Sequence, residues 1–423
     1  MSSFLRAFVT NSHSFLRRTT GYTRTFSEAP AGLRVKLSAD GKGLALFSGV
    51  TPEESHYHVK WLRHNCQCSQ CLSSSGQKTV TADHLMRDDN IERVKLLGDK
   101  LLVEWTAHSG WFDVNWLISN HPSSNQIVAR KEATPAHPTT KLPFMRYKEI
   151  MDPSNEGLYN WLYHLSAKGV CIITGVPADK EHTVKVAHRL GEMQSTVDGE
   201  CFDVIAVPKE ELTNIADSEV GLELHMDLQY YQSPPGLQIL HCIRNDPCVE
   251  GGESTLLDGL EVVERLRETH PRQFEILSKV QVPFQKIRQK GDFPVKMEYR
   301  KPHIELDHND QVIGINWSPA QQGTLSPHED EIEEYYEAYT NLFKLFNDSP
   351  LIIEYRLNPG EVLSFNNRRF LHGRRPYASN GGQRHLAGFY INIDEFASKL
   401  AALSKTLGKS QPLKHVLNTS YYN

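Results

Sequence analysis

Three cysteines within six residues, Cys66-Gln67-Cys68-Ser69-Gln70-Cys71, offer three thiolates in one loop. Thiolates completed by an imidazole in a tetrahedral shell are what Zn²⁺ prefers. Three histidines are near enough in sequence to be the fourth ligand: His64, His84 and His108. His64 is so close to Cys66 that it would strain the loop, and His84 sits in a polar stretch. His108 lies in Trp105-Thr106-Ala107-His108-Ser109-Gly110, a turn between two strand-like runs, from which a hairpin can return it to the thiolates. A Cys₃His shell leaves no open position for a substrate, so a zinc held this way is structural. The plainer alternative is three reduced loop cysteines.

A second constellation has the chemistry of a mononuclear iron oxygenase. Such a centre needs two His and one carboxylate on one face, with the remaining positions open. His225-Met226-Asp227 supplies two of these: in a strand, i and i+2 point to the same face. His372, in Leu371-His372-Gly373-Arg374, supplies the third from a later strand. The His-x-acid pattern alone is weak, because about two or three occurrences are expected by chance in a chain of this composition and four are present: His225, His303, His308 and His328 begin them. Context separates them. His303-Ile304-Glu305 lies in a strand-like run, His308-Asn309-Asp310 reads as a hairpin turn, and His328-Glu329-Asp330 opens a charged helix, where i and i+2 diverge. Twelve residues beyond His372, Arg384 stands at the start of another strand-like run, and its guanidinium is suited to a bidentate grip on a dicarboxylic co-substrate.

These residues must be positioned by two different regions. From about 31 to 120, short strand-like runs (Leu33–Leu37, Leu44–Phe47, His56–Leu62, Val94–Leu97, Leu101–Trp105, Trp111–Leu117) alternate with turn signals, which predicts a small β-rich, zinc-binding domain. Residues 121–143 hold four prolines amid Ser, Thr and Asn and read as a linker. From 144 to 423 the pattern predicts an all-β core with helices outside it, at Asn155–Lys168, Thr183–Gly191, Leu260–Thr269, Arg272–Leu277 and Glu329–Phe346. No glycine-rich phosphate loop follows a strand, so a dinucleotide-binding fold has little support.

Composition removes several functions. The chain has 423 residues, with 46 Lys+Arg against 51 Asp+Glu, and no long basic block, so it has no electrostatic footprint for nucleic acid. It lacks an 18-residue apolar run, so no membrane-spanning helix is expected. Seven cysteines are too few for a disulfide scaffold; the four outside the loop (Cys171, Cys201, Cys242, Cys248) read as small buried hydrophobes. Residues 1–26 carry four Arg, many Ser and Thr and no acid, the composition of a mitochondrial transit peptide with cleavage after Phe26. Without a working leader the enzyme would be cytoplasmic.

The segments His225-Met226-Asp227, Pro235-Gly236-Leu237-Gln238-Ile239-Leu240-His241-Cys242, Gly251-Gly252-Glu253-Ser254, Leu357-Asn358-Pro359-Gly360, Leu371-His372-Gly373-Arg374 and Arg384-His385-Leu386 resemble the gamma-butyrobetaine dioxygenase/trimethyllysine dioxygenase family. The likeness runs from about 35 to 400. Trp61 to Cys71 is similar to the zinc loop of the gamma-butyrobetaine branch, and His108 falls at its fourth ligand. The leader and Tyr230-Tyr231-Gln232-Ser233-Pro234 look more like the trimethyllysine branch. This resemblance implies a mainly β double-stranded β-helix (jelly-roll) with flanking helices, Fe(II), 2-oxoglutarate as co-substrate, O₂, ascorbate as reductant, and a homodimer. It implies that the far carboxylate of 2-oxoglutarate sits on Arg384 with Leu240 packed along it. It also implies an aromatic cage for a trimethylammonium group of a small betaine or amino-acid substrate. Tyr390 falls at a cage tyrosine, Phe202 where a Trp is expected, and Asp217 where a Tyr is expected. Leu228 stands where gamma-butyrobetaine dioxygenase has an aromatic.

Overall fold

The computed structural model describes residues 33–47, 54–121, 141–207, 215–289, 294–307, 310–326 and 328–409. The chain divides into two compact units at about residue 126. Residues 1–26, which the sequence suggests are a leader, and most of the segment 121–143 lie outside the described residues. No described helix is long and apolar enough to cross a membrane.

In the amino-terminal unit Arg34–Leu37, Gly43–Phe47 and Ser55–His58 form one antiparallel sheet, and Ile91–Leu97, Lys100–Trp105 and Ser109–Asp113 a second. Alternation buries one face, as at Leu101, Val103 and Trp105. Two of the strand-like runs end early in helices. His58 accepts a hydrogen bond from Lys60 N and starts the helix Val59–His64, whose buried Val59, Leu62 and Arg63 have helical spacing. Asp113 accepts from Trp116 N and starts Val114–Ser119. In both places an N-cap side chain overrides a run of β-branched and aromatic residues.

The second unit is a double-stranded β-helix. Its larger sheet has the order Phe144–Arg146, Val170–Thr174, Val362–Asn366, Leu237–Asn245, Arg384–Ile391, Cys201–Ile205. The smaller has the order Leu222–His225, Phe370–Arg374, Ser254–Asp258, Ile353–Tyr355. All neighbours are antiparallel except the first pair of the larger sheet. Helices Glu156–Lys168, Lys180–Leu190 and Ile393–Thr406 cover the outer face of the larger sheet, with Trp161, Leu165, Leu190 and Phe396 packed on Ile239, Phe389 and Ile391. The opposite face of the same strands contributes Leu240, Leu363, Phe365 and Leu386 to the space between the sheets. Strand Leu237–Asn245 therefore faces helices with Leu237 and Ile239 and faces the interior with Gln238 and Leu240, the alternation a sheet covered on both sides requires.

Of the four cysteines read as buried hydrophobes, Cys171 and Cys242 are buried, whereas Cys201 is half-buried and Cys248 exposed. Cys248 lies in a turn after its strand, where no sheet covers it.

Candidate metal centres and active-site cavity

In the amino-terminal unit the structure brings Cys66, Cys68, Cys71 and His108 together. The three Sγ atoms lie 3.4, 3.6 and 3.4 Å from His108 Nε2. A tetrahedral zinc with ordinary Zn–S and Zn–N bonds requires sulfur-to-nitrogen edges of about 3.5 Å, so the donor set is already spaced for the ion. His64 and His84 are not in the cluster; His84 Nδ1 bonds the Thr81 hydroxyl at 2.7 Å. Around the donors, Arg63 gives Nη1 to Cys71 Sγ at 3.2 Å and Nε to Asp88 at 2.6 Å, and Asp88 accepts from Ala107 N at 2.9 Å. One buried ion pair thus ties the cysteine loop to the turn carrying His108. Gly110 is required sterically, since a Cβ there would stand 2.3 Å from Cys66 Sγ. Burial pushes the Cys66 thiol up to about 12, so metal binding must displace its proton.

In the second unit His225 ends the strand Leu222–His225 and lies opposite His372 in the neighbouring strand, with ring centroids 4.3 Å apart. Asp227 is not in the strand. It sits in the turn that follows, where Met226 N donates to Trp317 O, Leu228 has φ +58°, and Asn367 brackets Asp227 by accepting from its N–H (2.9 Å) and donating to its C=O (3.0 Å). That bracket, rather than strand alternation, directs the carboxylate. His225 Nε2 is 3.3 Å from Asp227 Oδ1, and His372 Nε2 is 3.8 Å from Oδ2. The three donor atoms lie within 4.8 Å of one another, which fits a facial two-His-one-carboxylate centre. His225 Nδ1 donates to Glu223 O at 2.7 Å, leaving Nε2 as the donor to a metal.

Burial favours neutral imidazole at His225, but the hydrogen bond and charge of Asp227 outweigh it and raise the pKa above 6.5. Burial, with the charge of His225, holds His372 down to about 3. Burial pushes the Asp227 carboxyl up, yet the flanking His372 and His225 and the Tyr390 hydroxyl hold it well below the carboxylate range.

The triad opens on a cavity of about 820 Å³, within the range of small-molecule sites. Arg384 and Leu240 line it, as do Tyr390, Phe202 and Asp217. Arg384 is buried; Nη2 donates to Gly252 O at 3.2 Å, while Nη1 has no partner among the described residues, and burial lowers its pKa to about 10. A buried guanidinium with a free donor on a cavity wall calls for an anion, and a dicarboxylate fits. The cavity-lining residues Tyr390 and Phe202 are aromatic and lie against each other. Tyr390 donates its hydroxyl to Asp227 Oδ2 at 2.8 Å and stacks on Phe202 at 5.1 Å, so its polar end is committed to the triad. Gly388 permits this stack, because a Cβ there would meet Phe202 at 2.4 Å. Tyr390→Phe is therefore expected to weaken Fe(II) binding about ten-fold through a less fixed carboxylate. Titration with Fe(II) under anaerobic conditions checks this, and an unchanged affinity would show that the hydroxyl does not position Asp227.

Sequence reasoning missed Arg374, whose Nη atoms donate to the carbonyls of Ala216, Ser218 and Val220, and Gln238, whose buried Oε1 faces the cavity without a partner among the described residues. Both lie in segments quoted above, but nothing in their residue types marks them.

Residues 130–390 match the model of the taurine catabolism dioxygenase TauD, TfdA family, and residues 36–118 match the gamma-butyrobetaine hydroxylase-like amino-terminal model. The chain is 32% identical to gamma-butyrobetaine dioxygenase of Homo sapiens, over 86% of this chain and 95% of that protein. It is 27% identical to trimethyllysine dioxygenase of Meyerozyma guilliermondii, over 88% and 94% respectively. It is 26% identical to the mitochondrial trimethyllysine dioxygenase of Homo sapiens, over 81% and 84%.

Proposed function

This chain belongs to the taurine catabolism dioxygenase TauD, TfdA family and is a 2-oxoglutarate-dependent dioxygenase, and from that premise we propose that it hydroxylates gamma-butyrobetaine to carnitine. The observation that carries this reading is a triad and a free buried guanidinium on one cavity, in a chain similar to gamma-butyrobetaine dioxygenase over most of its length. In this reading His225, Asp227 and His372 hold Fe(II), and Cys66, Cys68, Cys71 and His108 hold a structural zinc. When bound, Fe(II) and 2-oxoglutarate supply the oxidising power, 2-oxoglutarate and O₂ going to succinate and CO₂ as a C–H bond becomes C–OH.

The protein's own residues orient and enclose. Arg384 receives the far carboxylate of the co-substrate with its unpartnered donor, and Leu240, on the adjacent strand, gives the chain of that molecule an apolar wall. Tyr390 fixes Asp227, and Asn367 fixes the backbone on which Asp227 stands. Phe202 and Leu386 add apolar surface to the cavity wall.

Trimethyllysine hydroxylation is the second reading, favoured by Tyr230-Tyr231-Gln232-Ser233-Pro234 and by the similarity to trimethyllysine dioxygenases. Hydroxylation of another small cation is the third, favoured by Asp217 on the cavity wall. We further propose a mitochondrial matrix enzyme, on the acid-free, Arg-bearing composition of residues 1–26 and the similarity to a mitochondrial relative, and a homodimer, as the family resemblance implies. The domains proposed are 31–120 and 144–423, joined by the segment 121–143.

The test is to incubate Fe(II)-loaded protein with 2-oxoglutarate, O₂, ascorbate and each betaine, measuring succinate and a product heavier by one oxygen. Gamma-butyrobetaine should stimulate succinate most. A larger stimulation by trimethyllysine moves the assignment to the second reading, and none from either betaine removes both.

A further inference from the structure

The cavity that holds the triad contains many charged side chains, and almost all of them are neutralised within the protein. Asp198 is paired with Arg288 at 3.1 Å, and Arg288 also donates to Val197 O. Asp203 is paired with Lys180 at 2.6 Å and His385 at 2.7 Å. Arg374 is saturated at its Nη atoms by three backbone carbonyls. Arg384 has one free donor, assigned above to the co-substrate. Glu223 is exposed at the rim, where water solvates it. Two half-buried opposite charges remain: the Asp217 carboxylate and the Lys286 ammonium line the cavity and make no hydrogen bond or ion pair among the described residues.

Both are held in place. Lys286 belongs to the strand Val282–Arg288, and period 2 puts it on the same face as Arg288, toward the cavity. Asp217 ends a single 3-10 turn whose flanking carbonyls, Ala216 O and Ser218 O, are both gripped by Arg374. Arg374 lies two residues beyond His372 in one strand, so the loop bearing Asp217 is fixed to the strand bearing a triad histidine. Each charge is partly desolvated on the cavity side and makes no direct ion pair among the described residues, Arg374 and Lys286 acting on Asp217 only through space, so a complementary ligand lowers the cost of burial.

Resting on the betaine-hydroxylase reading, we propose that Asp217 and Lys286 are the two charged poles of the prime-substrate subsite, Asp217 for the ammonium end and Lys286 for the carboxylate. The cavity then selects small zwitterions by two opposite charges on its wall. The stacked Phe202 and Tyr390 form one apolar wall, with the tyrosine hydroxyl committed to Asp227. Because a trimethylammonium group has no N–H, it can meet Asp217 only through charge, whereas a primary ammonium can also donate hydrogen bonds. The unmethylated amine should therefore bind at least as tightly as the trimethylated one.

The experiment measures binding by calorimetry to full-length protein loaded with Mn(II) and 2-oxoglutarate under anaerobic conditions. The probes are gamma-butyrobetaine, the isostere in which a quaternary carbon replaces the nitrogen, and the carboxamide that lacks the acid. Asp217→Asn should weaken gamma-butyrobetaine about ten-fold and leave the carbon isostere unchanged. Lys286→Gln should weaken gamma-butyrobetaine by a similar factor and leave the carboxamide unchanged. The insensitive probe in each case controls for folding, and Asp217→Glu and Lys286→Arg should restore most of the loss. Equal losses for charged and neutral probes, or no loss, would overturn the proposal. Trimethyllysine and lysine are titrated in parallel. If only one of these binds, the gamma-butyrobetaine reading fails while the same variants still test the charge poles on the ligand that binds. If no zwitterion binds, both fail.

Discussion

Asp227→Ala is expected to lower substrate-dependent succinate formation by about a thousand-fold or more, equivalent to roughly 4 kcal/mol of barrier. It removes the only carboxylate of the triad, and it leaves two facing imidazoles 4.3 Å apart with no anion between them. Fe(II) affinity should collapse in the same variant. Thermal unfolding of the second unit, which contains Asp227, serves as the folding control. A variant that keeps full turnover would refute the ligand assignment. The wild-type centre also carries a pH signature. His225 must be neutral to bind a metal, and its pKa is raised above 6.5, whereas His372 is held near 3 and offers no competing proton. Fe(II) binding should therefore be full above the raised His225 pKa and weaken about ten-fold per pH unit below it, a one-proton slope. A slope of two would mean that His372 also titrates.

Loss of zinc should have a comparably large effect, on stability rather than turnover. The amino-terminal unit has small sheets and a core that includes Cys66 and Cys71 themselves, so the metal is a member of the core. A structural zinc site contributes on the order of 10 kcal/mol to folding of a small domain. Cys68→Ser or Gly110→Ala should purify without its equivalent of zinc and unfold the amino-terminal unit at a markedly lower temperature. Gly110→Ala is the sharper variant because it removes no ligand: its Cβ would meet Cys66 Sγ at 2.3 Å and push one thiolate out of the shell. Metal analysis with differential scanning calorimetry reads both. Retention of a full zinc equivalent in Cys68→Ser would show that the cluster is not a zinc shell.

What was legible in the sequence was local chemistry and periodicity. Three Cys in six residues can be read as a metal loop, because ligand type and close spacing are themselves the signal. Apolar spacing located the helix Glu156–Lys168 and the strand Val170–Thr174 because each repeats over enough residues to average out exceptions. The short runs His56–Leu62 and Trp111–Leu117 misled, since one capping side chain decides between strand and helix over so few residues. Asp227 is the instructive case. Strand alternation picks out a pair that the structure does bring together with His372, but the strand ends at His225 and the carboxylate is aimed by Asn367, distant in sequence by 140 residues.

The sequence by itself determined which residue types were available: three thiolates, one candidate triad of two imidazoles and a carboxylate, and an arginine suited to a dicarboxylate. Family resemblance extended this to a fold and a reaction. Only the tertiary structure decided what each side chain spends its polar atoms on. Tyr390 reads as a cage ring in sequence, and the structure adds that its hydroxyl is bonded to Asp227. Asp198, Asp203 and Asp217 are alike as letters, but two are neutralised and one is left facing the cavity. The reason is physical: a charge acts on a ligand only when the protein has not already paired it, and pairing is a property of distances between segments that sequence spacing does not fix.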